Sequence, residues 1–221
     1  MPDTPILVGQ YDSPFVRRVA VALHHYGVPF ERRVLSTFAD FNAVLDLSPL
    51  GKVPVFVFAD SERLWDSRAI LDVLHGQANP EHLLLPHEAH ARRLVLRVEA
   101  TALGLAEKSY ERILEFARRA PGAQDPAMVE RLERQIGSAL TWLEVQRPAP
   151  FFHGPALTVA DITSTVALTY LREKLPRLLP LGAYPALEAH RAACEMMVAF
   201  QSAPYSAAEA LQTGWRPETL D

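Results

Sequence analysis

The 221 residues are enough to bury a sizeable core, and 22 Lys and Arg against 26 Asp and Glu leave a formal charge of −4. There is no basic block and no interleaving of basic with aromatic residues, which excludes nucleic acid as the main partner, and no apolar run approaches the roughly 18 residues of a membrane span. Met1-Pro2-Asp3-Thr4-Pro5 lacks the features of a signal peptide, and the single cysteine, Cys194, excludes both an intrachain disulfide framework and a Cys-x-x-Cys pair, so a cytoplasmic protein with a small ligand is expected.

Ile6-Leu7-Val8-Gly9 reads as a short buried strand. Ser13-Pro14 then opens a helix with Val16, Val19, Ala20 and Leu23 at helical spacing. Gly27-Val28-Pro29 ends that helix, Phe30 to Leu35 alternates as a second strand, and Phe38 to Leu47 reads as a helix that stops near Ser48-Pro49. In Gly51-Lys52-Val53-Pro54-Val55-Phe56 a proline heads a β-branched run, where a strand admits it at its first residue, at an edge, or after a tight or cis turn. The N–H and C=O of Val53 are then left for a ligand. Val55 to Phe58, the turn Ala59-Asp60-Ser61-Glu62, and Arg63 to Trp65 form a hairpin before a helix from Ser67 to about His75.

The order to this point is β-α-β-α-β-β-α. Residues 79–87 hold Pro80 and Pro86 without a sustained period and read as a linker between a domain at 1–78 and a second at 88–221. Beyond it the pattern is all helix. Leu94, Val98, Ala102 and Leu105 mark one helix face, and Val129, Leu132, Ile136, Leu140 and Leu143 mark another that starts after Asp125-Pro126. Thr158-x-x-Asp161 is a capping box ahead of Ile162 to Leu171, which is apolar on nearly every side, as a central helix would be. A last helix is expected from about Pro185 to Phe200. Residues 203–221 read as a tail over the surface, with Trp215 as its anchor.

Trp65-Asp66-Ser67-Arg68-Ala69-Ile70 puts an acid and a hydroxyl at a helix N-terminus, which suits a carboxylate. With Asp66 for an ammonium, Ser67 and the helix end for a carboxylate, and Lys52 for a second carboxylate, the arrangement fits the zwitterionic end of an amino-acid-like ligand. Ser13 reads either as a plain N-cap or as a hydroxyl facing the middle of that ligand. Tyr11 is the alternative donor, against the simpler reading of packing at a strand end. Arg17-Arg18 and Arg92-Arg93 read as solvated faces or interdomain salt bridges, with a dimer or cleft role open to one of them. No pair of the eight histidines matches a metal motif, so no metal is expected. Tyr110, Phe116, Tyr170 and Trp215 could line an apolar pocket or belong to the core.

Through Tyr11-Asp12-Ser13-Pro14-Phe15-Val16-Arg17-Arg18-Val19, Gly51-Lys52-Val53-Pro54-Val55 and Asp66-Ser67-Arg68-Ala69-Ile70, in that order and spacing, the chain resembles the glutathione S-transferase superfamily. Within it the Ser-Pro-Phe setting is most similar to the serine-type plant tau enzymes and their bacterial relatives. The resemblance implies an N-terminal thioredoxin-like α/β domain of order βαβαββα followed by an all-helical bundle. It implies a glutathione transferase that needs no cofactor, takes glutathione as co-substrate, and directs its thiolate at a small apolar electrophile or hydroperoxide. Ser13 would hydrogen-bond the glutathione sulfur, with Tyr11 as alternative. Val53 would pair with the cysteinyl backbone ahead of a structural cis-proline at Pro54, Lys52 would approach the glycyl carboxylate, and Asp66 with Ser67 would hold the γ-glutamyl end. Asp66 stands where the family usually has glutamate, and Asp40 where many tau-like enzymes offer a lysine. A homodimer is implied as well. The alternative is a transferase-like binding or regulatory protein with weak or lost catalysis.

Overall fold

A computed structural model describes residues 4–120, 122–146 and 148–211; the expected anchor Trp215 and the rest of the expected tail lie outside the described residues. In the first part of the chain β1 (Ile6–Val8), α1 (Pro14–Tyr26), β2 (Glu31–Arg33), α2 (Phe41–Leu45), β3 (Val55–Val57), β4 (Arg63–Trp65) and α3 (Ser67–Gln77) follow in the expected order. The four strands form one mixed sheet ordered β2-β1-β3-β4, with β1 parallel to β2 and antiparallel to β3, and β3 antiparallel to β4. Together with α1 to α3 this is the thioredoxin-like unit.

Two elements are shorter than the sequence pattern. β2 covers Glu31–Arg33 and not Phe30 to Leu35, because its ladder from Ile6↔Glu31 to Val8↔Arg33 ends where the three-residue β1 ends. It is an exposed, charged edge strand, which discourages pairing with another chain. α2 starts at Phe41 and not near Phe38: a separate turn precedes it, in which Ser36 Oγ accepts from the N–H groups of Phe38 and Ala39, the Ser36 carbonyl from Asp40 N–H, and Asp40 Oδ2 from Ser36 N–H.

Arg17 and Arg18 correct the sequence expectation. Neither is a solvated face: they are 1% and 0% exposed, among the largest fully buried side chains of the described residues. The cause is that α1 is flanked by α3 on one hand and by α8 (Val198–Gln201) on the other, so it has no broad solvated stripe. Arg17 Nε donates to the Ala203 carbonyl at 2.7 Å and Arg18 to Ser67 Oγ at 3.1 Å.

The second unit is helical. α4 (Ala89–Ala117) packs on α5 (Pro126–Val145) and on α6 (Val159–Lys174), and α6 packs on α7 (Pro185–Glu195). Every residue of α6 from Val159 to Leu171 is buried, which accounts for its all-round apolar character. Its capping box forms: the Thr158 N–H and hydroxyl both donate to Asp161 Oδ2, at 2.8 and 2.6 Å. The Glu144 carboxylate reaches across to cap α7, accepting from Ala186 and Leu187 N–H at 2.9 Å each. α5 opens with the expected Asp125-Pro126 cap.

The helix expected from Pro185 to Phe200 is broken. α7 ends at Glu195, Met197 is extended at φ −73° and ψ 144°, and α8 starts afresh. Contacts group residues 4–84 with 197–211 in one compact unit and 85–196 in the other. Within the 79–87 stretch a short 3-10 turn at 80–82 precedes buried Leu84 and Leu85. Where a tail was expected, α9 (Ala207–Leu211) forms. No helix among the described residues is long and apolar enough to cross a membrane.

Candidate functional site

Strand direction decides which loops meet. In the sheet Val8 pairs with Val55 and Val55 with Trp65. Because β1 runs into this row while antiparallel β3 runs out of it and β4 runs back in, the loop after Val8, the turn before Val55 and the corner after Trp65 all leave the sheet at the same end. Those three segments carry Tyr11 and Ser13, Lys52 to Pro54, and Asp66 with Ser67. The topology therefore gathers every candidate residue at one sheet end, where open α/β sheets place ligands.

Ser13 is half-buried and is the N-cap of α1, followed by Pro14 at the first helical position. Its Oγ accepts from the Val16 N–H over 3.4 Å, a long hydrogen bond that leaves the hydroxyl proton free to be donated. The cap and the functional hydroxyl are thus compatible. The turn before β3 is set by Gly51 at φ +59°, where an added Cβ would lie 2.5 Å from the Phe41 ring. Lys52 is exposed and makes no ion pair among the described residues. The Val53–Pro54 peptide is cis, and no loop or cap backbone hydrogen bond among the described residues ends on Val53.

Asp66 is exposed and takes φ +75° and ψ 124°, a conformation that costs a non-glycine residue about 1–3 kcal/mol. Its Oδ1 caps α3 by accepting from the Arg68 N–H at 2.8 Å. The second carboxylate oxygen has no partner among the described residues. Ser67 is 5% exposed, and Arg18 donates to its hydroxyl oxygen. A ligand carboxylate there would meet the helix N-terminus and the Ser67 hydroxyl proton, with a buried guanidinium behind them. Asp40 is engaged in its own turn through Ser36.

Tyr11 is 3% exposed and its hydroxyl has no partner among the described residues. Burial raises its pKa, an effect opposed by Arg32, whose guanidinium lies 3.3 Å from the ring centroid. The phenol stays protonated at neutral pH. Arg32 also pairs with Glu209 at 3.0 Å, and the Tyr11 N–H donates to the same carboxylate at 2.6 Å.

Two members of this neighbourhood carry no sequence signal. Arg18 looks like any charged helical residue until α3 and α8 enclose it, and Glu209 lies 198 residues from the loop it binds. Of the aromatic candidates, Tyr170 is buried and Phe116 is exposed beneath Arg112, 3.9 Å from its ring centroid. Among the described residues no cluster of three or more His, Cys, Asp or Glu is placed to hold a metal ion.

The family described as glutathione S-transferase, N-terminal domain, matches residues 12–77, which take in Ser13, Lys52 to Pro54, Asp66 and Ser67. The uncharacterized GST-like protein YibF of Escherichia coli (strain K12) is 30% identical over 165 residues, covering 75% of this chain and 81% of that relative. Among solved structures, the glutathione S-transferase of Methylobacillus flagellatus KT with GSH bound has a TM-score of 0.85 and 28% identity, covering 92% of this chain and 100% of its own. A glutathione transferase family member from Pseudomonas fluorescens Pf-5 with bound glutathione has a TM-score of 0.83 and 27% identity, with the same 92% and 100% coverage.

Proposed function

Because this chain belongs to the glutathione S-transferase superfamily, we propose that it is a serine-type glutathione transferase of the tau-like, Ser-Pro-Phe kind that activates the glutathione thiol through Ser13. The observation that carries this reading is the common sheet end of Ser13, Lys52, Val53, Asp66 and Ser67, set by the Val8–Val55–Trp65 row. Their chemistry is complementary to glutathione. Asp66 takes the γ-glutamyl ammonium, Ser67 and the α3 N-terminus take its carboxylate, Val53 pairs with the cysteinyl backbone, and Lys52 takes the glycyl carboxylate. The glutathione bound in two of the structural relatives supports the same choice of ligand.

Lowering a thiol pKa from about 8.5 by two units requires about 2.7 kcal/mol. One charge-assisted hydrogen bond contributes about 1.5–3 kcal/mol, and the α1 N-terminus adds about 0.3–1. A single serine at this position therefore suffices. The thiol gives its proton to solvent, the thiolate forms a C–S bond to an electrophilic carbon, and the displaced group leaves with the bonding pair. With a hydroperoxide, two glutathiones supply the two electrons that cleave the O–O bond, giving the disulfide, an alcohol and water. Tyr11 is the less suited donor: its ring is held under Arg32 and its phenol is buried.

Titration calorimetry with glutathione followed by conjugation assays of Ser13→Ala tests the reading. The expected result is retained glutathione binding with kcat/KM down by about 10- to 150-fold below pH 7, where thiolate is scarce without the serine. A chain that binds no glutathione, or a Ser13→Ala variant indistinguishable from the parent, would overturn it.

A further inference from the structure

The loop that carries Ser13 is held from behind by the far end of the chain. Gln10 Nε2 donates to the Glu209 carbonyl at 2.7 Å, and the Tyr11 N–H donates to Glu209 Oε2 at 2.6 Å. Arg32 Nη2 bonds both oxygens of the same carboxylate, at 3.0 and 3.1 Å, while its guanidinium covers the Tyr11 ring. A few residues earlier, the Ala203 carbonyl accepts from Arg17 Nε, and the Ser206 hydroxyl holds the Glu209 N–H at 3.2 Å. Gln10 in turn accepts from the Ser13 N–H at 3.2 Å, so the chain of bonds runs from Glu209 through Gln10 to Ser13 itself.

The contacts of Gln10 and Tyr11 converge on residues 10–13, and those of Arg17 and Arg32 tie segment 203–209 to α1 and β2. Ser13's own cap bond is long, so the loop conformation is not fixed by the cap alone. The Tyr11–Glu209 bond is short and charge-assisted, the class worth roughly twice a neutral one. We propose that Glu209 is a positioning residue for the thiol-activating loop, and that segment 203–209 acts as a brace setting where the Ser13 hydroxyl meets the ligand sulfur. The proposal rests on the reading of Ser13 given above. Glu209 contacts no substrate in this scheme. Its carboxylate acts through Tyr11 and Arg32, and its backbone carbonyl holds Gln10.

The test uses Glu209→Ala, Glu209→Gln and Ser13→Ala in the full chain. It reads the pH profile of kcat/KM, the glutathione KM, and amide hydrogen exchange at Tyr11. Glu209→Ala is expected to speed Tyr11 exchange about tenfold and to displace the acid limb of the profile toward higher pH, lowering kcat/KM there about three- to tenfold. The KM for glutathione changes little, because Lys52, Val53, Asp66 and Ser67 are untouched. Glu209→Gln, which keeps an acceptor for Tyr11 but loses the charge facing Arg32, recovers part of the profile. Faster exchange with an unchanged pH profile would make the brace merely structural and overturn the proposal, as would unchanged exchange. Ser13→Ala separates the two readings. If it is silent, the reading of the site falls and the proposal with it; if it moves the profile while Glu209→Ala does not, the proposal falls alone.

Discussion

A serine that caps its own helix can still serve a ligand, since capping uses an oxygen lone pair and thiolate stabilisation uses the proton. In the proposed site Ser13 caps α1 by accepting from Val16, and Ser67, the first residue of α3, accepts from Arg18, so each keeps its hydroxyl proton for a ligand. The second case depends on a guanidinium with no exposed surface, whose Nη1 donates to the Ser67 hydroxyl oxygen at 3.1 Å. Lysine keeps the charge but not the planar fork, so Arg18→Lys is expected to lower folding stability by about 1–3 kcal/mol and to weaken glutathione binding with it. Denaturant unfolding midpoints and titration calorimetry measure the two effects; an unchanged midpoint would show that the fork geometry contributes nothing.

Elements written by local signals were legible in the sequence, and those set by distant partners were not. Ser13-Pro14, the Pro54 strand head and the Thr158–Asp161 box each place a boundary by chemistry within a few residues, and each element starts where its signal stands. The length of β2 depends on β1, and the break at Met196–Met197 separates a helix of the second unit from one packed on α1. No local pattern contains that information. The box also shows how much one buried carboxylate can hold. Asp161 is fully buried and accepts from the Phe152 N–H at 2.9 Å as well as from the Thr158 N–H and hydroxyl. Asp161→Ala would strand three buried donors, and a loss of about 3–5 kcal/mol in urea unfolding is expected. A loss under about 1 kcal/mol would mean that water replaces the carboxylate there.

For the molecule as a whole, the candidate site could be read before the structure because its residues lie in three local motifs of the first unit. The closure of that unit could not, because residues 197–211 return to it after the entire second unit has been traversed. Each unit also contains a weak acid held neutral by burial, and each is expected to lower stability as the solution becomes alkaline. Burial pushes the Cys194 thiol of the second unit from 9.0 up to about 12, with Asp161 and Glu195 adding to the rise and the nearby Thr165 hydroxyl opposing it. Burial likewise pushes the Tyr26 phenol of the first unit from 10.0 up to about 12, against a hydrogen bond from the Leu84 N–H. Both folded-state values lie above the unfolded ones, so the unfolded chain releases these protons first. The contribution is complete below pH 9 for Cys194 and below pH 10 for Tyr26, and it is lost as pH climbs from those values toward 12. Chemical denaturation at about pH 8 and about pH 10.5 should therefore show falling stability, and Cys194→Ala should lose less between the two than the parent does. Tyr26→Phe should reduce the remaining fall at the higher pH. Equal losses in the parent and in Cys194→Ala would contradict the buried neutral thiol, and reaction of Cys194 with a thiol reagent faster than unfolding would do so independently.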